Sequence, residues 1–244
     1  MLPKITLIIG ANSGIAKSLA LNTVQNENSH LVVVSRDVSF YQQALFSEAT
    51  VINIKNYNEQ EISSTVSFIQ KLNPENIAQV FMCHGVLHNK EAQPEKRLED
   101  FSPEAFLQII HANTITPMLW LKHLTPVLTN KNDCKVVIFT AKVGSISDNK
   151  LGGWYSYRAS KASMNMLIKS AAVELARRAK NIKLISFHPG TTDTELSKPF
   201  QKNVPKDKLF TCEFVASQLL TIVENTAIDG EASFLDWQGK NIPW

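Results

Sequence analysis

The chain has 244 residues, of which 44% are hydrophobic and 19% charged, which is typical of a globular α/β domain and excludes a disordered chain. Its 25 basic and 22 acidic side chains leave a net charge of +3, too small to indicate a nucleic-acid or membrane partner. With no membrane-length apolar run, no signal-peptide pattern and three widely spaced cysteines that form no disulfide framework, we expect a cytoplasmic protein.

The chain opens with a strand, a glycine-containing turn and a helix. Residues 5–9 form a short apolar run rich in β-branched side chains, which is typical of a buried strand. Gly10 lets the chain turn sharply, and Gly14 lets a pyrophosphate approach backbone N–H groups at the helix N-terminus, which favours an anion. Because ordinary βα turns also contain glycines, the nucleotide-binding interpretation depends on the motifs that follow.

Short apolar strands and helical stretches alternate along the rest of the chain. This alternation predicts a single-domain α/β fold, a Rossmann-like doubly wound parallel sheet of about seven strands with helices on both faces. The predicted strands are 5–9, 31–35, 50–54, 79–83, 134–140, 182–187 and 232–235. The predicted helices lie around 14–25, 58–72, 103–128, 156–179 and 213–225.

The end of the second predicted strand bears on the choice of cofactor. An NAD-specific site usually has an acidic residue at the position of Ser35, where it binds the ribose 2′-hydroxyl. Ser35 followed by Arg36 suits a 2′-phosphate instead, because a guanidinium pairs well with phosphate. A solvated surface arginine is the alternative. We therefore predict that NADP(H) is preferred over NAD(H).

Polar residues after the third and fourth strands carry weaker signals. Asn53 has an amide able to bond the adenine edge, although asparagine is nearly as common in turns. His84 and His88 follow a strand and lack metal-binding partners at helical spacing. We expect both histidines to be structural and predict no metal site.

Tyr157 and Lys161 lie four residues apart on one predicted helix, so their side chains share a face. An unperturbed tyrosine has a pKa of about 10, and lowering it by ~3 units requires ~4 kcal/mol in favour of the phenolate. An ammonium at ~4 Å in a partly buried site supplies roughly that much. The spacing therefore predicts that Lys161 lowers the pKa of Tyr157 and makes it an acid/base.

With these motifs in this order, the chain resembles the short-chain dehydrogenase/reductase family over nearly its whole length. The glycine turn matches the family's cofactor turn, and Tyr157 and Lys161 match its catalytic Tyr-x-x-x-Lys. Asn113 falls where the family has an active-site asparagine. Two further segments match. Of the family's Asn-Asn-Ala-Gly segment, this chain has only the glycine, as Gly85. Residues 189–194 resemble the family's Pro-Gly segment on the nicotinamide side. Residues 144–149, 152–157, 234–237 and 242–244 also resemble the branch of C-factor-type proteins.

The resemblance implies a nicotinamide dinucleotide held along the strand ends. The implied cofactor-binding residues are Gly10, Asn12, Ser13, Gly14, Ile15, Ser35, Arg36, Asn53, Ile54, Gly85, Tyr157, Lys161, Pro189, Gly190, Thr192 and Thr194. It also implies that Asn113 completes a water-linked proton path. Finally, it implies homodimers or homotetramers built on the fourth and fifth helices.

The chain departs from the family at the active-site serine. Counting back about a dozen residues from Tyr157 reaches Ser145, which is our candidate for polarising the carbonyl. Allowing for a longer loop reaches Ala141 instead, and in that register only Thr140 or Ser145 is left to substitute. A missing donor costs roughly 3–4 kcal/mol, or two to three orders of magnitude in rate.

The sequence thus predicts an NADP(H)-dependent oxidoreductase that interconverts a small-molecule carbonyl and its alcohol by hydride transfer. One alternative is an NAD(P)-binding signalling or regulatory protein of C-factor type with little or no turnover, and another is a purely structural subunit. The retained Tyr157–Lys161 pair favours the enzyme. Residues 195–209 are expected to line the substrate pocket, and their mixed side chains select no particular substrate.

Overall fold

The computed structural model describes residues 3–89 and 92–244. In this part of the chain the strands are β1 (Lys4–Ile9), β2 (Ser29–Ser35), β3 (Thr50–Asn53), β4 (Ile77–Met82), β5 (Cys134–Phe139), β6 (Ile182–His188), β7 (Thr191–Thr192), β8 (Leu209–Phe210) and β9 (Ser233–Asp236). The α-helices are α1 (Gly14–Val24), α2 (Glu59–Ile69), α3 (Pro103–Ile110), α4 (Thr116–Leu128), α5 (Tyr155–Arg178) and α6 (Cys212–Asn225).

Seven strands form one parallel sheet in the spatial order β3-β2-β1-β4-β5-β6-β9. Since β1 pairs with both β2 and β4, the strand order changes direction between β1 and β4. Ligands of doubly wound sheets bind outside the carboxyl ends of the strands at this point. The short strands β7 and β8 pair separately as a second parallel ribbon.

Helices cover both faces of the sheet, which is why its central strands are largely apolar. Within β1, Ile5, Leu7 and Ile9 belong to one core cluster and Ile8 to another. The first cluster contains side chains of α2, α4 and α5, and the second contains side chains of α1 and α6. The predicted doubly wound fold is therefore confirmed. Of the helices among the described residues, none is long and apolar enough to cross a bilayer.

The helix predicted over residues 103–128 is interrupted. It consists of α3, a π-helical turn at His111–Ile115 and then α4. Pro117 has no N–H, so it cannot bond the carbonyl of Asn113 four residues earlier, as a regular α-helix requires. Single π-turns of this kind are frequent at functional sites. Asn113 therefore lies in a locally widened turn.

Candidate active site

Two adjoining cavities lie at the carboxyl ends of the central strands. The first cavity has a volume of about 970 Å³ and lies against the ends of β1 and β2. The second has a volume of about 510 Å³ and lies against α5 and the chain that follows β6. The residues that line both are Asn12, Ser13, Cys83, His84 and Gly85. The two cavities therefore form one cleft.

The glycine turn shapes the middle of this cleft. Gly10 has a φ of +74°, and a Cβ there would lie 3.3 Å from the backbone of both Cys83 and His84, so only glycine fits. Ser13 caps α1, its Oγ accepting a hydrogen bond of 3.2 Å from the Ala16 N–H. The N–H groups of Gly10 and Ala11 both donate to the Val34 carbonyl, at 3.0 and 3.2 Å, so it is the first turn of α1, at Gly14 and Ile15, that adjoins the cleft.

Packing gives a second reason why position 14 is a glycine. A Cβ at this position would lie 2.6 Å from Sγ of Cys212, at the start of α6. The absence of a side chain lets the N-termini of α1 and α6 approach closely, in addition to any role in binding an anion.

Charges of both signs face the first cavity. The exposed guanidinium of Arg36 lies 5.2 Å from the ring centre of Tyr57, a cation–π contact. The carboxylate of Asp37 accepts hydrogen bonds from the N–H and Oγ of Ser39 and from Nδ2 of Asn12, at 3.0, 2.7 and 3.4 Å. These bonds, led by that from the Ser39 N–H, hold the pKa of Asp37 below its usual range. An acidic residue is thus present at Asp37, two positions after Ser35, where an NAD-specific site usually has one.

Two predicted cofactor residues do not line either cavity. Nδ2 of Asn53 donates to the carbonyl oxygens of Ser35 and Arg36, at 3.3 and 3.0 Å. Ile54 is buried in the core below. The chain beyond them lines the first cavity instead, through Asn56, Tyr57 and Asn58. Nδ2 of Asn53 therefore fixes the end of β2, and the contact of Asn53 with adenine stays a prediction.

Tyr157 and Lys161 lie on the first turns of α5 and both line the second cavity. Nζ of Lys161, a residue only 2% exposed, donates to the Phe139 carbonyl at 2.9 Å and lies 5.6 Å from the Tyr157 ring centre. Burial lowers the pKa of Lys161 to about 7 and raises the pKa of Tyr157. Burial therefore acts on the Tyr157 pKa in the direction opposite to the effect predicted for Lys161, whose influence on the phenol stays a prediction.

Asn113 connects the site to α5. Its Oδ1 accepts from the Val86 N–H at 2.7 Å, and its Nδ2 donates to the Val86 carbonyl at 2.8 Å and to Ser160 Oγ at 3.0 Å. Both amide protons are thus occupied. The side chain clamps the chain after β4 onto α5, three residues beyond Tyr157.

Ser145 is buried outside the walls of the cleft. It is 1% exposed, does not line the cleft, and its Oγ accepts a hydrogen bond of 3.2 Å from the Asp148 N–H. The residue that lines the cavity and packs against Tyr157 is Ala141. Of the two registers left open by the sequence, the structure has the one without a hydroxyl. The candidate role of Ser145 is corrected accordingly.

Thr140 also lines the second cavity, but its hydroxyl is engaged. Its Oγ1 lies 2.6 Å from Ser186 Oγ, and Ser186 Oγ donates to Oδ1 of Asn165 at 2.7 Å. Thr140 therefore already has a hydrogen-bond partner in Ser186.

The remaining wall of the second cavity comes from the chain after β6. Its predicted members Pro189, Gly190, Thr192 and Thr194 all line the cavity, as do Ile15 and Gly14 from α1. Residues 195–204 add Leu196, Phe200 and Val204. The β7–β8 pairing joins Thr191–Thr192 to Leu209–Phe210, so this segment is tied at both ends.

His84 lines both cavities, although the sequence predicts only a structural role for it. Its two ring nitrogens are buried without a hydrogen-bond partner, its ring packs against Tyr57, and burial lowers its pKa to about 3. It is therefore neutral at ordinary pH. No group of three or more His, Cys, Asp or Glu side chains among residues 3–89 and 92–244 is placed to hold a metal.

Comparison with known proteins decides the family. The family model for short chain dehydrogenases matches residues 4–205. The chain belongs to this family. The 1-hydroxy-2-glutathionyl-2-methyl-3-butene dehydrogenase of Rhodococcus sp. (strain AD45) is 32% identical over 135 residues, which are 55% of this chain and 57% of that protein. C-signal of Myxococcus xanthus is 26% identical over 132 residues, 54% of this chain and 74% of that protein.

Solved structures agree on the fold. Carbonyl reductase Sniffer of D. melanogaster superposes with a TM-score of 0.82 at 20% identity, covering 100% of both chains. The NADPH-bound carbonyl reductase from chicken fatty liver gives 0.80 at 18% identity, also covering 100% of both. At these identities the likeness establishes the fold, and the match to the family model establishes membership of the short-chain dehydrogenase family.

Proposed function

We propose that this protein is an NADP(H)-dependent oxidoreductase that interconverts a neutral carbonyl compound and its alcohol. The observation that carries the proposal is that the buried pair Tyr157 and Lys161 shares one cleft with the Gly10 turn and the capped start of α1. The positive φ of Gly10 and its close approach to Cys83 and His84 favour glycine in this turn, and the N-terminus of α1 follows it, so the residues present fit a dinucleotide.

Three parts of the chain would hold the cofactor. Arg36 and Tyr57 would bind the adenosine end, the Gly10 turn with Ser13 would bind the pyrophosphate, and residues 189–194 would flank the nicotinamide. The preference for NADP(H) is supported by the exposed Arg36 guanidinium and by the fold's likeness to an NADPH-bound carbonyl reductase. When bound, the nicotinamide supplies or accepts the hydride.

The protein's own groups manage the proton. Burial keeps Tyr157 protonated at neutral pH, so in reduction its O–H donates a proton to the carbonyl oxygen. Lys161 would bind the nicotinamide ribose and, when protonated, stabilise the phenolate left behind. A water-linked path at Asn113 would return the proton. Both amide protons of Asn113 are already donated to other groups. The path would therefore use the side-chain or main-chain oxygen of Asn113.

The walls of the second cavity favour a neutral substrate. Beside Tyr157 they are formed by Leu87, Ala141, Trp154 and Phe200. Among the described residues that line this cavity, only Lys161 and the exposed Glu195 have side chains that ordinarily carry charge at neutral pH, histidines aside. A carboxylate or phosphate on the substrate would have no arginine to pair with there, whereas an apolar ketone would bury its surface against the aromatic rings.

A fluorescence titration with NADPH and NADH tests this proposal. We expect NADPH to bind about 10- to 100-fold more tightly, because charge-assisted bonds to a phosphate contribute about 1.5–3 kcal/mol. Arg36→Ala is expected to remove most of that preference. Tyr157→Phe is expected to bind NADPH normally and to lose its oxidation by a panel of neutral ketones. Failure of wild-type protein to bind either dinucleotide would refute the proposal.

A second candidate is an NAD(P)-binding regulatory protein with little turnover. It is favoured by Ala141, which leaves the carbonyl without a serine donor, and by the partial likeness to C-signal. In that case wild-type protein would bind the dinucleotide and turn over no ketone in the panel, and Tyr157→Phe would leave its biological effect intact.

A further inference from the structure

The start of α5 is held by a buried carboxylate that has no part in the proposed chemistry. Glu95 is 4% exposed, and its two carboxylate oxygens each lie 3.2 Å from the backbone N of Ser156. The Ser156 hydroxyl also donates to this carboxylate. Ser156 is the second residue of α5, so its N–H has no partner within the helix. Glu95 supplies that partner from 61 residues away in the sequence.

The main chain of Glu95 fixes the loop that enters α5. Its carbonyl oxygen accepts a hydrogen bond of 2.6 Å from the Trp154 N–H. Trp154 has a φ of 54° and follows Gly152 and Gly153, whose φ values are 65° and 64°. A left-handed tryptophan is uncommon and strained, so its surroundings must hold it. Arg158 assists by donating to the carbonyls of Gly152 and Gly153, at 3.2 and 2.9 Å.

The loop that Glu95 holds forms one side of the second cavity. The indole of Trp154 lies 5.0 Å from the Phe200 ring and 6.2 Å from the Tyr157 ring, measured between centroids. Tyr157 directly follows Ser156, the residue that Glu95 caps. Glu95 itself does not line either cavity, so any influence on the cavity passes through Trp154 and α5.

We infer that Glu95 is a positioning residue for Tyr157 and Trp154. Its carboxylate anchors the first turn of α5, where a negative charge is favourable. Its carbonyl holds the strained Trp154, so the phenol and the indole face the same small volume. The catalytic consequence rests on the proposed function, whereas the anchoring of α5 is measurable without turnover.

Amide hydrogen exchange tests the anchoring. Glu95→Ala is expected to speed exchange in residues 154–157 at least about tenfold, because the Ser156 N–H loses its acceptor. Glu95→Gln keeps an acceptor oxygen and is expected to show a smaller effect. Ser102→Ala is the matched control, since it removes the cap that accepts from the Ala105 N–H of α3 at 3.2 Å. It is expected to leave residues 154–157 unchanged.

Steady-state kinetics tests the positioning. Glu95→Ala is expected to lower kcat about 10- to 100-fold, since small displacements of a reacting group have effects of this size. The NADPH Kd of Glu95→Ala is expected to stay within about twofold of the wild-type value. Glu95→Gln is expected to recover most of the activity, and it replaces Glu95→Ala in both measurements if the alanine variant fails to fold. If Glu95→Ala sped amide exchange at residues 154–157 but left kcat unchanged, the inference would be overturned. It would also be overturned if the change in exchange or in kcat were no larger than that caused by Ser102→Ala. Absence of wild-type turnover would refute the proposed function while the exchange result still decided the anchoring.

Discussion

Ala141 offers a direct gain-of-function test, because it occupies the place where a serine hydroxyl would help to polarise a carbonyl. Ala141 is 8% exposed and packs with Leu87 and Tyr157. Its backbone is extended, with φ −161° and ψ 150°, a conformation that serine adopts without strain. Ala141→Ser therefore adds one hydroxyl at the wall of the second cavity, and we expect kcat for ketone reduction to rise.

The size of the gain follows from what such a donor contributes elsewhere. Removing one donor to a developing oxyanion lowers kcat by about 10²–10³, or roughly 2.7–4 kcal/mol. A hydroxyl that no neighbour orients recovers only part of this, so we expect a rise of about 10- to 100-fold, equivalent to about 1.4–2.7 kcal/mol. Stability is expected to fall by about 1–3 kcal/mol, if the new hydroxyl has no partner before substrate binds.

The assay is kcat for NADPH oxidation by neutral ketones, with Ser145→Ala as the control. Ser145 bonds the Asp148 N–H away from the cleft. Its loss is therefore expected to cost about 1 kcal/mol of stability and to leave kcat unchanged. If Ser145→Ala abolished turnover while Ala141→Ser brought no gain, Ser145 would be the carbonyl donor and the argument from position would be refuted.

Three further predictions concern the cleft. Burial lowers the pKa of Lys161 from 10.5 to about 7, so the unfolded chain holds this proton to higher pH. Wild-type stability should therefore rise between about pH 7 and 10.5, by up to about 5 kcal/mol, and Lys161→Met should flatten that rise in urea unfolding. Asp37→Asn removes a negative charge from the first cavity and should tighten NADPH binding a few-fold in a titration, with no gain for NADH. Gly14→Ala should lower the unfolding free energy by about 1–3 kcal/mol, because its Cβ would lie 2.6 Å from Sγ of Cys212. The double variant Gly14→Ala/Cys212→Ala should recover most of that loss in thermal denaturation, and no recovery would show that this contact is not the cause.

The sheet was predictable because its central strands are buried on both faces and are therefore largely apolar. All seven predicted strands occur in the main sheet with ends within two residues. The ribbon of β7 and β8 was not predicted, since two-residue strands are too short to show a periodicity. The π-turn at His111–Ile115 was also missed, because the apolar pattern continues through it and only Pro117 marks the break.

The site was predictable where its residues follow directly from strand ends or helical spacing. Gly10, Arg36 and Lys161 all line the cleft. The positions of Asn53 and Ser145 outside the cavity walls were not predicted, because a change of one or two residues in loop geometry decides which side chain faces a cavity. The burial of Tyr157, which raises its pKa, was not predicted either, since it depends on packing that spacing alone does not reveal.

The burial of Tyr157 and Lys161 suits Tyr157 to donating a proton in reduction. A group that donates a proton to a carbonyl must hold it at the working pH, and burial raises the pKa of Tyr157. Oxidation of an alcohol needs the phenolate instead, which the same burial disfavours. Lys161 stabilises that phenolate only when protonated, and its pKa is about 7. With Ala141 offering no second donor, the developing oxyanion depends on Tyr157 alone, so alkaline conditions that remove the Lys161 proton should slow the reduction.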